Sequence, residues 1–202
     1  MFKWILVACV ALSTALQAEI NVLAFSGSLR DDSVNKKLVI EAANFAKQLG
    51  AKVTVLNLKD YAMPFYDQDL EDREGLPPKA REFRNLLIQS QVVIIASPEY
   101  NGSVSAVLKN ALDWASRDDD ANPSREGFKG KKFLLLSASP GRSGGTRGLV
   151  HLRAIIENIG GTVLQNQVSV PNAYDAFNEQ GQLKDPQLRT QLQQSVRSAL
   201  GQ

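Results

Sequence analysis

Residues 92–116 read VVIIASPEYNGSVSAVLKNALDWAS, and this stretch decides the fold. Val92 to Ala96 is a continuous apolar run, the pattern of a central strand buried on both faces rather than one with a wet side. Pro98, Asn101 and Gly102 then supply turn chemistry. From Ser103 to Arg117, Val104, Val107, Leu108, Ala111 and Leu112 recur at helical spacing with Trp114 beside them. A buried strand followed by a turn and an amphipathic helix is half of a βαβ unit.

The same alternation continues in both directions. Upstream, Ile20 to Phe25 reads as a first strand, and Ser33 stands at the N-cap of a helix whose apolar positions run from Leu38 to Leu49. Gly50 ends that helix, and Val53 to Leu56 is the second strand. Leu58 to Pro78, rich in Asp, Glu and Pro, is expected to be a long surface loop, and Lys79 to Gln89 a helix feeding the third strand. Downstream, Asp118 to Gly130 is a charged loop and Lys132 to Ser137 the fourth strand. Thr146 to Ile159 is a helix stopped by Gly160-Gly161, Thr162 to Leu164 is a short fifth strand, and Asp185-Pro186 opens the last helix. The expectation is an α/β, flavodoxin-like, doubly wound five-stranded parallel sheet, order 2-1-3-4-5, forming a single domain over residues 19–202. Ligands bind such sheets beyond the carboxyl ends of the strands. The loops after strands one, three and four therefore matter most.

Composition narrows the chemistry. A chain of 202 residues, 44% hydrophobic and 22% charged, buries roughly 70% of its unfolded surface as one domain. A formal net charge of +2 gives no reason to expect nucleic acid as a partner. With one histidine, His151, and one cysteine, Cys9, the chain offers no zinc constellation, no Cys/His nucleophile pair and no dithiol couple. Redox chemistry here requires a bound cofactor. His151, within the helix from Thr146, is expected to serve packing or an interface.

Residues 1–18, MFKWILVACVALSTALQA, carry one Lys, an apolar run from Trp4 to Ala11 and small and polar residues ending at Ala18. This reads as a signal peptide cleaved after Ala18, implying export to the periplasm or medium, the apolar run being too short for a stable membrane span. The competing reading is a misassigned start or disordered extension, which leaves the protein in the cytoplasm. Leu6-Val7-Ala8-Cys9 has the look of a lipoprotein box but lies too near the start for one.

The loop after strand one, Ser26-Gly27-Ser28-Leu29-Arg30-Asp31-Asp32-Ser33-Val34-Asn35, sets hydroxyls and one Arg at the mouth of a helix. Helix N-terminal amides favour an anion there; Ser28, Ser33 and Asn35 add donors and Arg30 adds charge, which suits a monophosphate. An ordinary capped turn accounts for Ser33 equally well. The loop is neither a Walker motif nor GxGxxG. After strand three, Pro98, Glu99, Tyr100 and Asn101 offer a rigid turn, an aromatic face and backbone donors for a planar heterocycle. After strand four, Ser139, Gly141 and Gly144 belong to a small, glycine-rich loop that lets backbone approach a ligand. A packing turn and a flexible surface loop are the respective bland readings.

GSLRxxSxN after strand one, PEYNxSxxxxLKNAxDW after strand three and SxGxxGG after strand four together resemble the NADPH-dependent FMN reductase family, in particular its short quinone and chromate reductase branch. The likeness spans Ile20 to Leu200; Pro140 and Arg142 depart from the usual third loop. The resemblance implies that Ser28, Arg30, Ser33 and Asn35 hold the FMN phosphate, that Pro98, Glu99, Tyr100 and Asn101 line the isoalloxazine, and that Ser139, Gly141 and Gly144 close its far edge. It further implies ping-pong hydride transfer from NADPH or NADH to small acceptors such as quinones, chromate, azo compounds or free flavin, with no catalytic side chain and no metal. A homodimer or homotetramer is also implied. Rival readings are a one-electron flavodoxin-like carrier, disfavoured by near-neutral charge and by Tyr100 as the single sandwiching aromatic, and a flavin-binding sensor. Glu99 is expected to face solvent or a salt bridge, and the apolar stripe of the helix after Tyr100 to meet its own sheet or a second subunit.

Overall fold

A computed structural model describes residues 19–202; the expected signal peptide and Cys9 lie outside the described residues. Strands β1 (Asn21–Ser26), β2 (Lys52–Asn57), β3 (Val92–Ala96), β4 (Lys132–Ala138) and β5 (Thr162–Val163) form a parallel sheet in the order β2-β1-β3-β4-β5. The expected order is therefore present. Side chains alternate across it with period two. Val22, Ala24, Val92, Ile94, Leu134 and Leu136 face α1 (Val34–Gln48) and α6 (Pro186–Leu200). Leu23, Phe25, Val93, Ile95, Phe133 and Leu135 face α3 (Pro78–Ile88), α4 (Ala106–Ala115) and α5 (Thr146–Asn158). Both faces are covered, so the central strands carry no polar alternation.

Two expectations are corrected. A sixth strand, β6 (Val168–Val170), pairs with the carboxyl half of β4 while β5 pairs with its amino half. β4 advances three residues from Phe133 to Leu136 while its partner advances five from Val163 to Val168, so the edge strand carries two extra residues and splits. Arg153 donates to the carbonyls of Val163 and Leu164 at 3.4 and 2.6 Å, satisfying edge groups the sheet leaves free. Gly161 does more than stop α5: a Cβ there would lie 2.6 Å from Ile156 Cγ2 and 2.7 Å from Phe133 Cε2.

The second correction is the segment from Leu58 to Pro78, which is not all loop. It contains a 3-10 turn (Leu58–Asp60) and a helix, α2 (Gln68–Glu74). Seven residues are too few to be helical by propensity. Tertiary bonds hold them: the fully buried Glu71 carboxylate accepts Arg117 Nε at 2.9 and 2.8 Å and the Tyr66 hydroxyl at 3.0 Å, and Trp114 Nε1 donates to Pro64 O at 2.8 Å. Trp114 lies with Leu76 and Ala80 in a small core of its own. The stripe on α4 is spent in the same chain, since Leu108, Ala111, Leu112 and Ala115 all enter the sheet core.

Glu71→Ala strands the Arg117 guanidinium in a largely buried site and is expected to cost about 3 kcal/mol, read as a lower urea midpoint with an unchanged slope. Burial, and then the hydrogen bond to Glu71, raise the Tyr66 phenol above its ordinary 10.0. The unfolded chain then ionises first, so this contribution is complete below pH 10.0 and is lost as pH rises through the higher folded value. Tyr66→Phe is expected to remove that share of the alkaline loss of stability.

Candidate cofactor site

Parallel strands end at one edge, and the three singled-out loops meet there around an open cleft of 240 Å³. Eight of the eleven residues singled out line it: Ser28, Arg30, Ser33, Asn35, Pro98, Glu99, Tyr100 and Ser139. Asn101, Gly141 and Gly144 do not. Val34, Ala138, Pro140 and Tyr174 complete the wall.

The first loop ends on the N-terminus of α1. Ser33 is its N-cap, with Oγ accepting from Lys36 N at 3.4 Å, and Ser28 Oγ accepts from Arg30 N at 3.3 Å. Both serines are at most 4% exposed, yet among the described residues neither hydroxyl donates to a protein acceptor. The amides of Val34 and Asn35, in the first turn, likewise have no acceptor there. Arg30 is exposed and has no carboxylate partner among the described residues. Asp31 and Asp32 in the same loop are matched by Lys59 at 2.6 Å and Lys37 at 2.7 Å. Those hydrogen-bonded cations hold both carboxyls below the ordinary carboxylate range. The residues carrying the donors left over all line the same cleft at the N-terminus of α1.

Asn35 differs from the expectation of a free donor. Its side chain donates to Ala138 O at 2.8 Å and accepts from Ala138 N at 2.9 Å, as a strand would, tying the first loop to the end of β4. Other bonds join the remaining loops. Ser105 Oγ, the N-cap of α4, donates to Gly27 O at 2.5 Å, and Ser137 Oγ donates to Ser97 O at 2.8 Å. Ser139 N donates to Val170 O, and Ala173 N donates to Ser139 O, both at 3.1 Å. These bonds within the chain tie the loops around the cleft to one another.

In the second loop, Tyr100 and Ser103 exchange backbone bonds of 2.9 and 3.0 Å around Asn101 and Gly102, whose φ values of 51° and 78° describe a tight hairpin turn. Turn geometry thus explains Asn101, while the amides of Asn101 and Gly102 have no acceptor among the described residues. Glu99 is neither free in solvent nor ion-paired: Oε2 accepts from Gly148 N at 3.0 Å in the first turn of α5, a favourable place for a carboxylate. His151 Nδ1 meets Ser103 Oγ at 3.0 Å, steadying the same hairpin.

The glycines of the third loop approach protein rather than open the cleft. A Cβ on Gly144 would lie 3.0 Å from backbone atoms of Val170 and Pro171, and one on Gly145 would lie 1.9 Å from Ser137 Oγ. Gly141 is exposed, its amide 3.4 Å from Ser139 Oγ.

Tyr174 is the residue sequence reasoning missed. It is 65% exposed and lines the same cleft as Tyr100, which is 48% exposed. Its segment follows β6, and buried Glu41 pins it by accepting Leu183 N at 2.8 Å and Arg189 Nε at 2.9 Å. An aromatic after a strand at the carboxyl edge is a usable signal, but only once β6 is known. Tyr100 is thus not the single aromatic at the site.

Comparison with known proteins gives the family. Residues 20–175 match the family described as NADPH-dependent FMN reductase. The chain is 35% identical over 181 residues to an NAD(P)H-dependent FMN reductase of Pseudomonas aeruginosa, covering 89% of this chain and 93% of the relative. It is 32% identical over 188 residues to an NADPH:quinone oxidoreductase of Arabidopsis thaliana, with 92% of each covered. Among solved structures it is similar to the flavoenzyme NAD(P)H:(acceptor) oxidoreductase FerB of Paracoccus denitrificans, with a TM-score of 0.75, 26% identity and coverage of 90% and 96%. The chain belongs to the NADPH-dependent FMN reductase family of oxidoreductases.

Proposed function

We propose that this protein is an FMN-dependent NAD(P)H oxidoreductase that reduces quinones and related small acceptors. One observation carries the reading: at the head of α1 two buried hydroxyls, two helix amides and Arg30 all lack protein acceptors, beside an open, aromatic-flanked cleft. A phosphate monoester fits those donors, and a flat heterocycle fits the wall of Pro98, Tyr100 and Tyr174.

FMN bound there supplies hydride chemistry, taken from NAD(P)H and passed on to the acceptor in a separate half-reaction. The chain's own residues position and polarise. Ser28, Ser33, the α1 amides and Arg30 would hold the phosphate, and the free amides of Asn101 and Gly102 are donors for the polar edge of the ring. Asn35 and Glu99 act one step removed, the first tying the first loop to β4 and the second fastening the second loop to α5. No side-chain acid or base is assigned. The quinone class is supported by the relatives' names, including a quinone reductase of Escherichia coli, 34% identical over 165 residues.

Export is supported by residues 1–18, with intact mass beginning at Glu19 as its check. An exported form needs a donor other than the cytosolic NADPH pool. Among the described residues no helix is long and apolar enough to cross a membrane. Assembly as a homodimer or homotetramer rests on the family resemblance and is checked by sedimentation.

Arg30→Met is expected to weaken FMN binding about tenfold, as loss of one exposed charge-assisted bond, while leaving thermal stability of the FMN-free protein unchanged. Asp31→Asn with Asp32→Asn frees Lys59 and Lys37 and is expected to tighten FMN binding about two- to fivefold at low salt, an effect that fades at about 1 M salt. Residues 19–202 loaded with FMN should bleach on anaerobic addition of NADPH and recover their colour when a quinone is added. Bands that persist would return the protein to the carrier or sensor class.

A further inference from the structure

Beside the cofactor cleft lies a second, larger one of 380 Å³ between the segment after β2 and the start of α4. Leu29, Tyr61, Met63, Phe65, Val107 and Ala111 give it apolar walls. Of the three polar side chains in its lining, Tyr61 presents chiefly its ring and the other two are already engaged. Asn110 donates to Pro64 O at 2.9 Å and accepts from Tyr66 N at 2.8 Å, and Lys59 pairs with Asp31 at 2.6 Å. A polar ligand would find little to bond with there, whereas an apolar chain would give up nothing and would cover Phe65, 77% exposed, and Leu29, 43% exposed.

The cleft borders the cofactor site across one loop. Leu29 lines it while its neighbours Ser28 and Arg30 line the other. The Ser105 bond to Gly27 O fixes the start of α4 to that loop, and a Cβ on Gly27 would lie 2.9 Å from Leu108 Cδ2, so the two walls are locked together.

We propose that this cleft holds the alkyl or isoprenoid tail of a lipophilic quinone whose ring is reduced at the adjoining cofactor site. The inference rests on the quinone reductase reading above. The ring gains two electrons and two protons, a hydride equivalent from NAD(P)H through the flavin and a proton from solvent, giving quinol and NAD(P)+; the tail is chemically unchanged.

The test uses the full-chain holoenzyme with NADPH and two benzoquinones sharing one ring, one without a chain and one with a decyl chain. Each methylene buried is worth about fourfold, so even a partly covered chain is expected to raise kcat/KM at least about tenfold through KM. Val107→Phe, which fills the cleft from the half-buried side of α4, should abolish that gain while leaving FMN content and turnover of the chainless quinone unchanged. Phe65→Ser, on an exposed side chain, should reduce it without disturbing the core. Equal kcat/KM for the two quinones in the unaltered enzyme overturns the proposal. A gain that survives Val107→Phe does so too, as does a variant that changes the sedimentation coefficient but not the chain-length dependence, which would assign the face to a second copy. If neither quinone is reduced, the quinone reductase reading fails instead, and calorimetric titration of the decyl quinone into the unaltered enzyme and Val107→Phe still decides the cleft: binding sensitive to the variant supports it, and no binding overturns it.

Discussion

A parallel sheet buried on both faces constrains everything else in this molecule. Its strands run the same way only if every connection crosses over through a helix, and those helices then cover the faces. All carboxyl ends consequently share one edge. The loops that carry serines, arginine, tyrosine and glycine are brought together by that rule, although their residues lie more than a hundred positions apart in the chain, as Asn35 and Ala138 do. Between β1 and β3 the direction of winding reverses, leaving the crevice in which the cleft sits.

Preorganisation is the second theme. The loops are held by side-chain bonds to backbone groups: Asn35 to Ala138, Ser105 to Gly27, Ser137 to Ser97 and Glu99 to Gly148. Each satisfies a polar group at a strand or helix end that would otherwise be buried unpaired, so ligand geometry and fold stability share the same bonds. At the head of α1, what stays unsatisfied is a few hydroxyls and amides. The local charge follows the same logic, since Lys37 and Lys59 offset Asp32 and Asp31 and leave Arg30 to set the sign.

The region after β2 is organised differently. Its short helix has little propensity of its own and depends on the buried Glu71 carboxylate, shared by Arg117 and Tyr66. This clamp acts together with Asn110, bonded to Pro64 O and Tyr66 N, and with Trp114, bonded to Pro64 O, to hold the segment from Tyr61 to Phe65 beside α4, and the apolar cleft lies between them.

Strand order, helix placement and most of the cleft lining were legible from the chain because each rests on local signals: a two-sided apolar run at Val92 to Ala96, a cap at Ser33, turn chemistry at Pro98 to Gly102. Residue counts likewise gave no reason to expect a zinc constellation or a dithiol couple, without any fold. Other features depend on partners distant in sequence, and no local pattern announces those. Helix α2 needs Arg117, the split between β5 and β6 needs the register of β4, and Tyr174 acquires a position only once β6 is in place. Residues that looked alike as binding groups were separated the same way: Asn35 and Glu99 are engaged with backbone, Gly144 meets Val170, and Ser28, Ser33 and Arg30 keep free donors. Local patterns specify which groups a chain carries to an edge of its sheet; tertiary packing alone determines which of those groups are already bonded and which remain for a ligand.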